Sequence, residues 1–337
     1  MKSAHLTTAD LVHTSYTPDL TQAGIAYALR SLPFTYDRMG GSLLERLRRI
    51  VVGVAVELAF RRLLGERGIP HDTFGRTPYT DPDRYDVALG GRRCDLKSFI
   101  LFNKKDIRRL RKDPAQYLQA SALVPVDQAG SSHFGDEDLY VFAFVTALLT
   151  RDRAELDRAL AAGQPVFLIH PMPQAWSRPR KWASLQTLSL QSFASRTLQL
   201  ELGGQISDRS FNGEQLSLAP KSEAIPDLDF HTLAYLHTDR IPDGLVSVRS
   251  RRYGPAYPVL PSDWGNIWVY GMEVVLAGYL RRGDYHREAE NLPPGSRVLQ
   301  YARTRTRNLA LPVASLRPIT ELFERVQRWE ERRARLH

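Results

Sequence analysis

Two adjacent glycines, Gly90 and Gly91, constrain the fold of this chain more than any other feature of its sequence. They separate two short apolar-rich runs, and glycine tolerates the positive φ angles that a two-residue hairpin turn requires. The sequence therefore predicts a β-hairpin whose register is set by this turn. The predicted cross-strand pairs are Leu89 with Arg92, Val87 with Cys94, and Asp86 with Asp95.

The predicted hairpin has one apolar face and one charged face. Because side chains alternate along a strand, Lys97 lies on the same face as Asp95. Like charges opposed across a hairpin destabilise it, so Asp86 and Asp95 together require a cation, which a divalent metal would supply. The opposite face is ready for burial and comprises Val87, Leu89, Cys94 and Leu96. The alternative is an ordinary exposed ribbon with a polar outer face, since Asp and Lys are common residues.

Glu57 is the only ionisable residue in the apolar run 50–60. A lone carboxylate in such a helix is costly unless it is paired or bound to a metal. The run belongs to a helix predicted from about Ser42 to Gly65, on which Glu45 is a second candidate acid. The alternative is a polar stripe in which Arg61 pairs with Glu57 at the i+4 spacing.

These residues resemble the catalytic signature of the PD-(D/E)xK nuclease superfamily, which has the restriction-endonuclease-like fold. In that signature an acidic residue precedes a hairpin, and the next strand carries (D/E)-x-K. Asp86 matches the first acid, Asp95 the second and Lys97 the lysine. Many members add a glutamate on the helix before the sheet, and Glu57 matches it. The resemblance implies that these four residues are catalytic and that the three acids bind the metal.

The resemblance covers roughly residues 41 to 150 and leaves the C-terminal half without an assignment. Tyr85 stands where the written motif has proline, a position at which many members also lack it. Asp81 and Asp83 are alternatives for the first acid. In the predicted register Asp83 points away from the charged face, which favours Asp86.

The resemblance also implies an α/β fold with a restriction-endonuclease-like αβββαβ core, in which a central mixed sheet is flanked by helices. A mixed α+β C-terminal domain follows. The run 138–149 predicts a buried strand of the core, and segment 70–74 would supply the first strand. The length of 337 residues is sufficient for two cores, with a linker in the irregular tract 171–182. The expected divisions are a lead-in over 1–40, a nuclease-like domain over 41–175, and a β-rich or mixed domain over 180–337 that binds nucleic acid or a partner.

The formal net charge of +9 favours a polyanionic partner, of which DNA is the first candidate. Arg303, Arg305 and Arg307 alternate, so a strand there would present three guanidinium groups on one face for phosphate contacts. Arg251 and Arg252 lie in a basic and aromatic stretch that could read a groove or stack on a base. A solvated basic surface is the alternative for both groups.

The function implied by the resemblance is an Mg²⁺-dependent DNA endonuclease of restriction or phage-defence type, in which Mn²⁺ can replace Mg²⁺. Lys97 would position the attacking water, and Gln116 and Gln119 could orient the attacking group. The alternatives are a structure-selective repair or recombination nuclease and a non-catalytic DNA-binding subunit of a defence complex. RNA is not excluded as the substrate. A homodimer, or a partner protein of a defence system, is compatible with the sequence.

Several function classes are disfavoured by the sequence. The single cysteine excludes an internal disulfide framework and a cysteine-based zinc site. No apolar run reaches the length of a membrane span and the N-terminus lacks a signal-peptide pattern, so we expect a cytoplasmic protein without membrane association.

His231 and His237 are rejected as metal ligands, because an i, i+6 spacing puts them on different faces of a helix. Residues 187–206 alternate like a β-meander, and the Pro-rich passage that follows, up to about Leu260, predicts irregular loops. Residues 319–337 predict a basic amphipathic helix.

Overall fold

The chain forms a mixed α/β structure, seen in a computed structural model that describes residues 6–35, 41–73, 86–130 and 134–335. Its helices are α1 (Pro18–Thr35), α2 (Leu43–Glu66), α3 (Lys104–Lys112), α4 (Val126–Ala129), α5 (Arg153–Ala161), α6 (Gln174–Ser177), α7 (Arg282–Glu288) and α8 (Ile319–Ala334). Its strands are β1 (Val12–Ser15), β2 (Val87–Leu89), β3 (Arg92–Leu101), β4 (Ser121–Pro125), β5 (Leu139–Leu149), β6 (Leu168–Pro171), β7 (Leu188–Ser192), β8 (Leu198–Gln205), β9 (Phe211–Leu218), β10 (Glu223–Ala224), β11 (Thr232–Thr238), β12 (Val246–Ser250), β13 (Tyr257–Val259), β14 (Gly265–Asn266), β15 (Val269–Arg281), β16 (Glu290–Leu292) and β17 (Asn308–Pro312). Within the described ranges, none of the helices combines the length and apolar character needed to cross a bilayer.

Two compact units share the chain. The first comprises Met1–Gly24, Arg49–Leu148 and Val269–His337, and the second comprises Ile25–Arg48 and Leu149–Trp268. This division is discontinuous in sequence, whereas the division expected from the sequence is continuous. The physical reason is strand pairing, because β15 of the C-terminal half pairs with β1 and joins the sheet that carries the hairpin.

The first unit contains a mixed five-stranded sheet in the order β1-β15-β5-β3-β2. Strand β2 is antiparallel to β3, and β3 is parallel to β5. A smaller antiparallel sheet, β16-β17-β4, contributes to the same apolar core, in which the Phe142 and Tyr285 rings stack at 5.6 Å. The predicted α/β class with a mixed sheet and flanking helices is confirmed. The restriction-endonuclease-like core stays a prediction.

Helix α2 confirms the helix predicted over 42–65, and a capping box fixes its start. The Glu45 backbone N–H donates to Ser42 Oγ at 3.3 Å, and the Ser42 N–H donates to Glu45 Oε2 at 3.2 Å. These two bonds satisfy donors that have no partner inside the helix. Glu45 therefore serves the helix terminus, which favours Glu57 as the acid that α2 contributes to the site.

The segment expected to supply the first strand makes a single antiparallel bridge among its described residues. Asp72 and Ala88 exchange two backbone hydrogen bonds, of 2.9 and 3.1 Å. This bridge extends the hairpin sheet beyond β2. The competing acids Asp81 and Asp83, together with Tyr85, lie outside the described residues.

The second unit contains two antiparallel sheets, ordered β14-β6-β11-β8-β9 and β10-β7-β12-β13. The passage up to Leu260 therefore holds strands β9 to β13, and its prediction as loop is wrong. Their apolar residues, such as Val246 and Val248, are buried in a core with residues distant in sequence, such as Leu200, and the local pattern does not reveal this packing. His237 lies on strand β11 and not on a helix, and its ring stacks on Phe167 at 3.6 Å.

Helix α8 confirms the helix predicted at the C-terminus and packs against the hairpin turn. The Arg92 guanidinium lies 3.7 Å from the centre of the Trp329 ring. A Cβ atom added to Gly90 would come within 2.7 Å of the same ring. The turn is therefore held in place by an element more than 200 residues away in sequence.

Candidate active site on the hairpin

The hairpin has the predicted turn and register. Gly90 and Gly91 have φ angles of +57° and +79°, the left-handed values that a two-residue primed turn requires. The pairs Leu89 with Arg92 and Val87 with Cys94 are present, and the Asp86 N–H donates to the Cys94 carbonyl at 3.1 Å. Asp86 directly precedes β2, and its carboxyl group accepts a hydrogen bond from the Leu96 N–H, which places it beside the strand that carries Asp95 and Lys97.

The apolar face of the hairpin is buried, as its pattern predicts. Val87, Leu89 and Cys94 are almost fully buried, and Leu96 is partly buried. Burial also raises the pKa of the Cys94 thiol, so it stays a neutral, apolar group. With this face in the core, the alternating charged residues are directed to the opposite side.

Asp86 lies where its ionised form is disfavoured. Burial raises the pKa of its carboxyl group well above the ordinary value, and the negative charges of Glu57 and Asp95 raise it further. The Leu96 N–H, which donates to Asp86 Oδ2 at 2.6 Å, and the charge of Lys97 act in the opposite direction. The charged groups that act on Asp86 are thus two carboxylates and one ammonium group.

Asp95 and Lys97 form an ion pair on the charged face. Lys97 Nζ lies 2.7 Å from Asp95 Oδ2, and the two side chains are only 13% and 20% exposed. Lys97 also lies 5.9 Å from the centre of the Tyr140 ring on β5. The lysine is therefore held at the acids by its neighbours on both β3 and β5.

Gln128 is a site residue that sequence reasoning missed. The Lys97 ammonium group donates to Gln128 Oε1 at 2.8 Å. Gln128 lies on the short helix α4, whose last residue, Ala129, accepts a hydrogen bond from the buried Arg282 guanidinium through its carbonyl. Nothing in the local sequence marks this glutamine, because its contact depends on the tertiary packing of α4, which lies against β4 and β17.

The two glutamines proposed from the sequence lie in the short 3₁₀ helix Pro114–Gln119, and Gln119 is exposed at its end. Gln116 Nε2 donates to Asp113 Oδ2 at 3.1 Å, inside the short 3₁₀ helix Pro114–Gln119. Asp113 is the cap of that helix, since its Oδ1 accepts from the Ala115 N–H at 3.2 Å. This local bond gives Gln116 a structural partner, whereas Gln128 is the glutamine that reaches Lys97.

Glu57 is brought near the hairpin by helix α2. It is partly buried, and among the charges that raise the pKa of Asp86 its contribution is the largest. Its effect on the pKa of Asp86 exceeds that of Asp95, and charge effects of this kind fall with distance, so Glu57 is a neighbour of Asp86. The structure therefore groups Glu57, Asp86, Asp95 and Lys97 in the first unit.

The donor chemistry of this group suits a hard divalent cation. Carboxylate oxygens are the ligands that Mg²⁺ prefers, and Mg²⁺ commonly binds through one or two carboxylates while keeping several waters. Asp86 and Asp95 satisfy that requirement, and the charge imbalance at Asp86 would be relieved by a cation. The described part of the chain contains no cluster of three or more His, Cys, Asp or Glu side chains that could hold a metal ion.

The arginines proposed for DNA binding do not form one surface strand. Arg303, Arg305 and Arg307 are exposed in an irregular segment, because β17 begins only at Asn308. Thr304 between them is buried and its N–H donates to the Ser296 carbonyl at 2.8 Å, which bends the segment. The conditional prediction of a strand there is wrong, although the arginines remain exposed.

Arg251 and Arg252 belong to the second unit, whereas the other three arginines belong to the first. Arg251 is exposed. The Arg252 guanidinium donates to the Ala183 carbonyl at 2.6 Å and to the Lys181 carbonyl. Arg252 therefore has a structural role in fixing residues 181–183, which distinguishes it from Arg251.

Comparison with protein-family models, curated proteins and solved structures gives no significant match to this chain. The functional interpretation therefore depends on the residues of the site.

Proposed function

We propose that this chain is a metal-dependent nuclease that hydrolyses phosphodiester bonds in DNA, with its active site on the hairpin. The observation that carries the proposal is the grouping of Asp86, Asp95 and Lys97, in which two acids from paired strands adjoin an ammonium group 2.7 Å from Asp95. Glu57 adds a third negative charge around Asp86. The residue types and their order are those of the PD-(D/E)xK signature, which supports an assignment to that superfamily.

Asp86 and Asp95 would hold Mg²⁺, or Mn²⁺ in its place, through their carboxylate oxygens. Glu57 would complete the set directly or through a water molecule. When bound, such an ion lowers the pKa of a coordinated water and neutralises charge on the phosphate. The partial burial of these carboxylates strengthens their attraction for a cation, because the local dielectric is lower than that of water.

Lys97 supplies a positive charge beside the acids. An ammonium group has three donors, of which one is directed to Asp95 and one to Gln128. The remaining donor can bind the attacking water or a non-bridging oxygen of the scissile phosphate. Gln128 holds the ammonium group without neutralising it, because an amide oxygen accepts a hydrogen bond but carries no net charge.

The charge distribution supports DNA as the substrate. The chain has a net charge of +9, and Arg303, Arg305 and Arg307 are exposed in the same unit as the hairpin. Exposed arginines add sequence-independent affinity for phosphates. A restriction or phage-defence role, as a homodimer or with a defence partner, is the role we propose, and it rests on the family resemblance.

The proposal is tested by incubating the purified protein with plasmid, linear duplex, flapped and single-stranded DNA, and with RNA, in Mg²⁺, in Mn²⁺ and in EDTA. Wild-type protein should cut DNA only when a divalent ion is present. The Asp95→Asn variant should not cut, whereas Asp106→Asn should cut like wild type. Asp106 is a suitable control because it forms a surface pair with Arg109, at 3.2 Å, on helix α3.

The pattern of products separates the alternatives. Cutting of flapped but not plain duplex DNA would assign a structure-selective nuclease. DNA binding without cutting under every condition would assign a non-catalytic subunit. Equal cutting by wild type and Asp95→Asn would contradict the proposed site.

A further inference from the structure

Trp182 lies in the second unit, in the irregular tract that the sequence analysis interprets as a linker. The indole ring is partly exposed, and its N–H donates to the Ser207 carbonyl at 3.3 Å. The His231 ring stacks on it at 5.3 Å and 24°. The Arg209 guanidinium lies 4.9 Å from its centre. This tract is thus part of a folded surface built from several loops.

The loops around Trp182 are fixed by hydrogen bonds. Arg252 donates to the carbonyls of Lys181 and Ala183, on either side of the tryptophan. The Gln205 amide donates to the Arg209 carbonyl at 3.0 Å, which holds the turn that carries Arg209. The ring and its neighbours are therefore presented in a defined arrangement before any ligand arrives.

Positive charge is concentrated in these loops. The segments 180–184, 207–210, 229–231 and 251–253 carry five basic residues and two acidic ones. The exposed basic residues are Arg180, Lys181, Arg209 and Arg251. Both acids already accept hydrogen bonds, Asp208 from the Ser210 N–H and Asp229 from the Ser184 hydroxyl. Such a cluster repels itself and gains stability when a polyanion binds.

We propose that this surface, defined by Trp182, Arg209, Arg180, Lys181 and Arg251, binds single-stranded nucleic acid. Aromatic rings and planar guanidinium groups stack on unpaired bases, and flanking cations bind the phosphates between them. Duplex DNA offers phosphates but no exposed base faces, so the aromatic part of the surface selects unpaired strands. This inference rests on the proposed function and deepens it by naming a strand that the nuclease would hold.

The test is a fluorescence-anisotropy titration of labelled oligothymidylate, and of a duplex of equal length, with the full-length protein in EDTA. Trp182→Ala should weaken binding of the single strand by about tenfold or more, because that is the scale of one lost base stack. Trp182→Phe should retain most of the affinity, since phenylalanine can also stack. Binding of the duplex should change by less than about threefold in both variants.

A second variant tests the charge without touching the aromatic ring. Arg180→Gln combined with Lys181→Gln removes two exposed cations, which leaves the fold intact. It should reduce the slope of log K against log salt by about 1.4 for a single strand. Arg153→Ala is the matched control, because this exposed arginine of α5 pairs with Asp157 at 2.9 Å and should leave the slope unchanged.

Wild-type affinity of Trp182→Ala for oligothymidylate, or equal weakening for single strand and duplex, would overturn the inference. An unchanged salt slope in the double glutamine variant would overturn its electrostatic part. These outcomes are distinct from failure of the nuclease proposal, which is decided by Mg²⁺-dependent cutting and its loss in Asp95→Asn. If cutting requires Asp95 but Trp182→Ala binds oligothymidylate as tightly as wild type, the nuclease proposal stands and the single-strand proposal is wrong.

Discussion

Two charged regions of this molecule differ in how their charges are compensated. On the hairpin, Asp86 and Asp95 are partly buried, and the pKa of Asp86 is raised because burial and its acidic neighbours disfavour its ionised form. Around Trp182, Arg180 and Lys181 are exposed to solvent. Water stabilises the exposed charges at little cost, whereas the buried ones need a specific partner.

The difference indicates what each region can do. A buried excess of carboxylates demands a compact cation at a defined position, which is the requirement of a catalytic metal site. An exposed excess of cations attracts a polyanion over an extended surface and tolerates variation in its position. Changes to the hairpin should therefore act on chemistry and folding, and changes to exposed arginines should act on affinity.

The largest effect is expected for the ion pair on the hairpin. Asp95→Ala and Lys97→Ala should each lower the rate of Mg²⁺-dependent DNA cutting by about a thousandfold or more, because each removes a group to which we assign a role at the reacting atoms. Asp95→Ala should also lower the stability of the apo-protein, because it leaves the mostly buried Lys97 ammonium group without its carboxylate partner. Single-turnover cutting and thermal unfolding measure the two effects. If either variant cut DNA at the wild-type rate, the assignment of chemistry to the hairpin and of affinity to the exposed cations would be wrong.

A second prediction concerns the turn that sets the hairpin register. Gly90→Ala should lower the free energy of unfolding by about 3 kcal/mol, because an alanine there is strained and also collides with Trp329. Gly68→Ala is the matched control, with a φ of +62° but open space around the new methyl group. It should cost only about 1 kcal/mol. Urea denaturation measures both, and equal losses would show that the contact with α8 contributes nothing.

The hairpin could be predicted from the sequence because its determinants are local. The turn glycines, the alternation and the paired acids all lie between Asp86 and Lys97. The pairing of β1 with β15 could not be predicted, since Val12 and Leu276 come from opposite ends of the chain. The same limitation applies to Gln128, whose contact with Lys97 depends on tertiary packing.

The arginine segment shows a similar limit. The alternation of Arg303, Arg305 and Arg307 resembles a strand, and local pattern reasoning has no access to the backbone bonds that Thr304 makes with the 293–296 turn. Those bonds satisfy Thr304 outside a sheet, and the strand begins only beyond the arginines. Exposure of the three side chains was predictable from their charge, whereas their backbone conformation was not.

A third prediction concerns these exposed arginines. Replacing Arg303, Arg305 and Arg307 with alanine should reduce the slope of log K against log salt for duplex DNA by nearly 3, if all three contact phosphate. The cutting rate at saturating DNA should fall by much less than the affinity. Anisotropy titrations across salt concentrations, in Ca²⁺ to block cutting, measure the slope. An unchanged slope would show that the three arginines do not contact phosphate and form only a solvated basic surface.

The smallest expected effect is on stability against pH. The folded protein keeps a proton on Asp86 at pH values where the unfolded chain has lost it, because the pKa of this carboxyl is raised by folding. The free energy of unfolding of the wild type should therefore fall as pH rises above about 4. In EDTA, Asp86→Asn should lose this dependence, so that its stability rises relative to wild type as the pH increases. If the free energy of unfolding changed with pH in the same way in wild type and Asp86→Asn, the raised pKa of Asp86 would be contradicted.

The central claim is that Asp86 and Asp95 share one cation, and Mn²⁺ binding tests it most directly. Calorimetric titration of Mn²⁺ into the wild-type protein should show a saturable site, and Asp86→Asn and Asp95→Asn should each weaken it by at least about tenfold. Asp106→Asn should bind like wild type, because its partner is Arg109 on the surface. Lys97→Met should bind Mn²⁺ more tightly, since it removes the ammonium group that now neutralises Asp95. Wild-type Mn²⁺ affinity in both asparagine variants would contradict the claim.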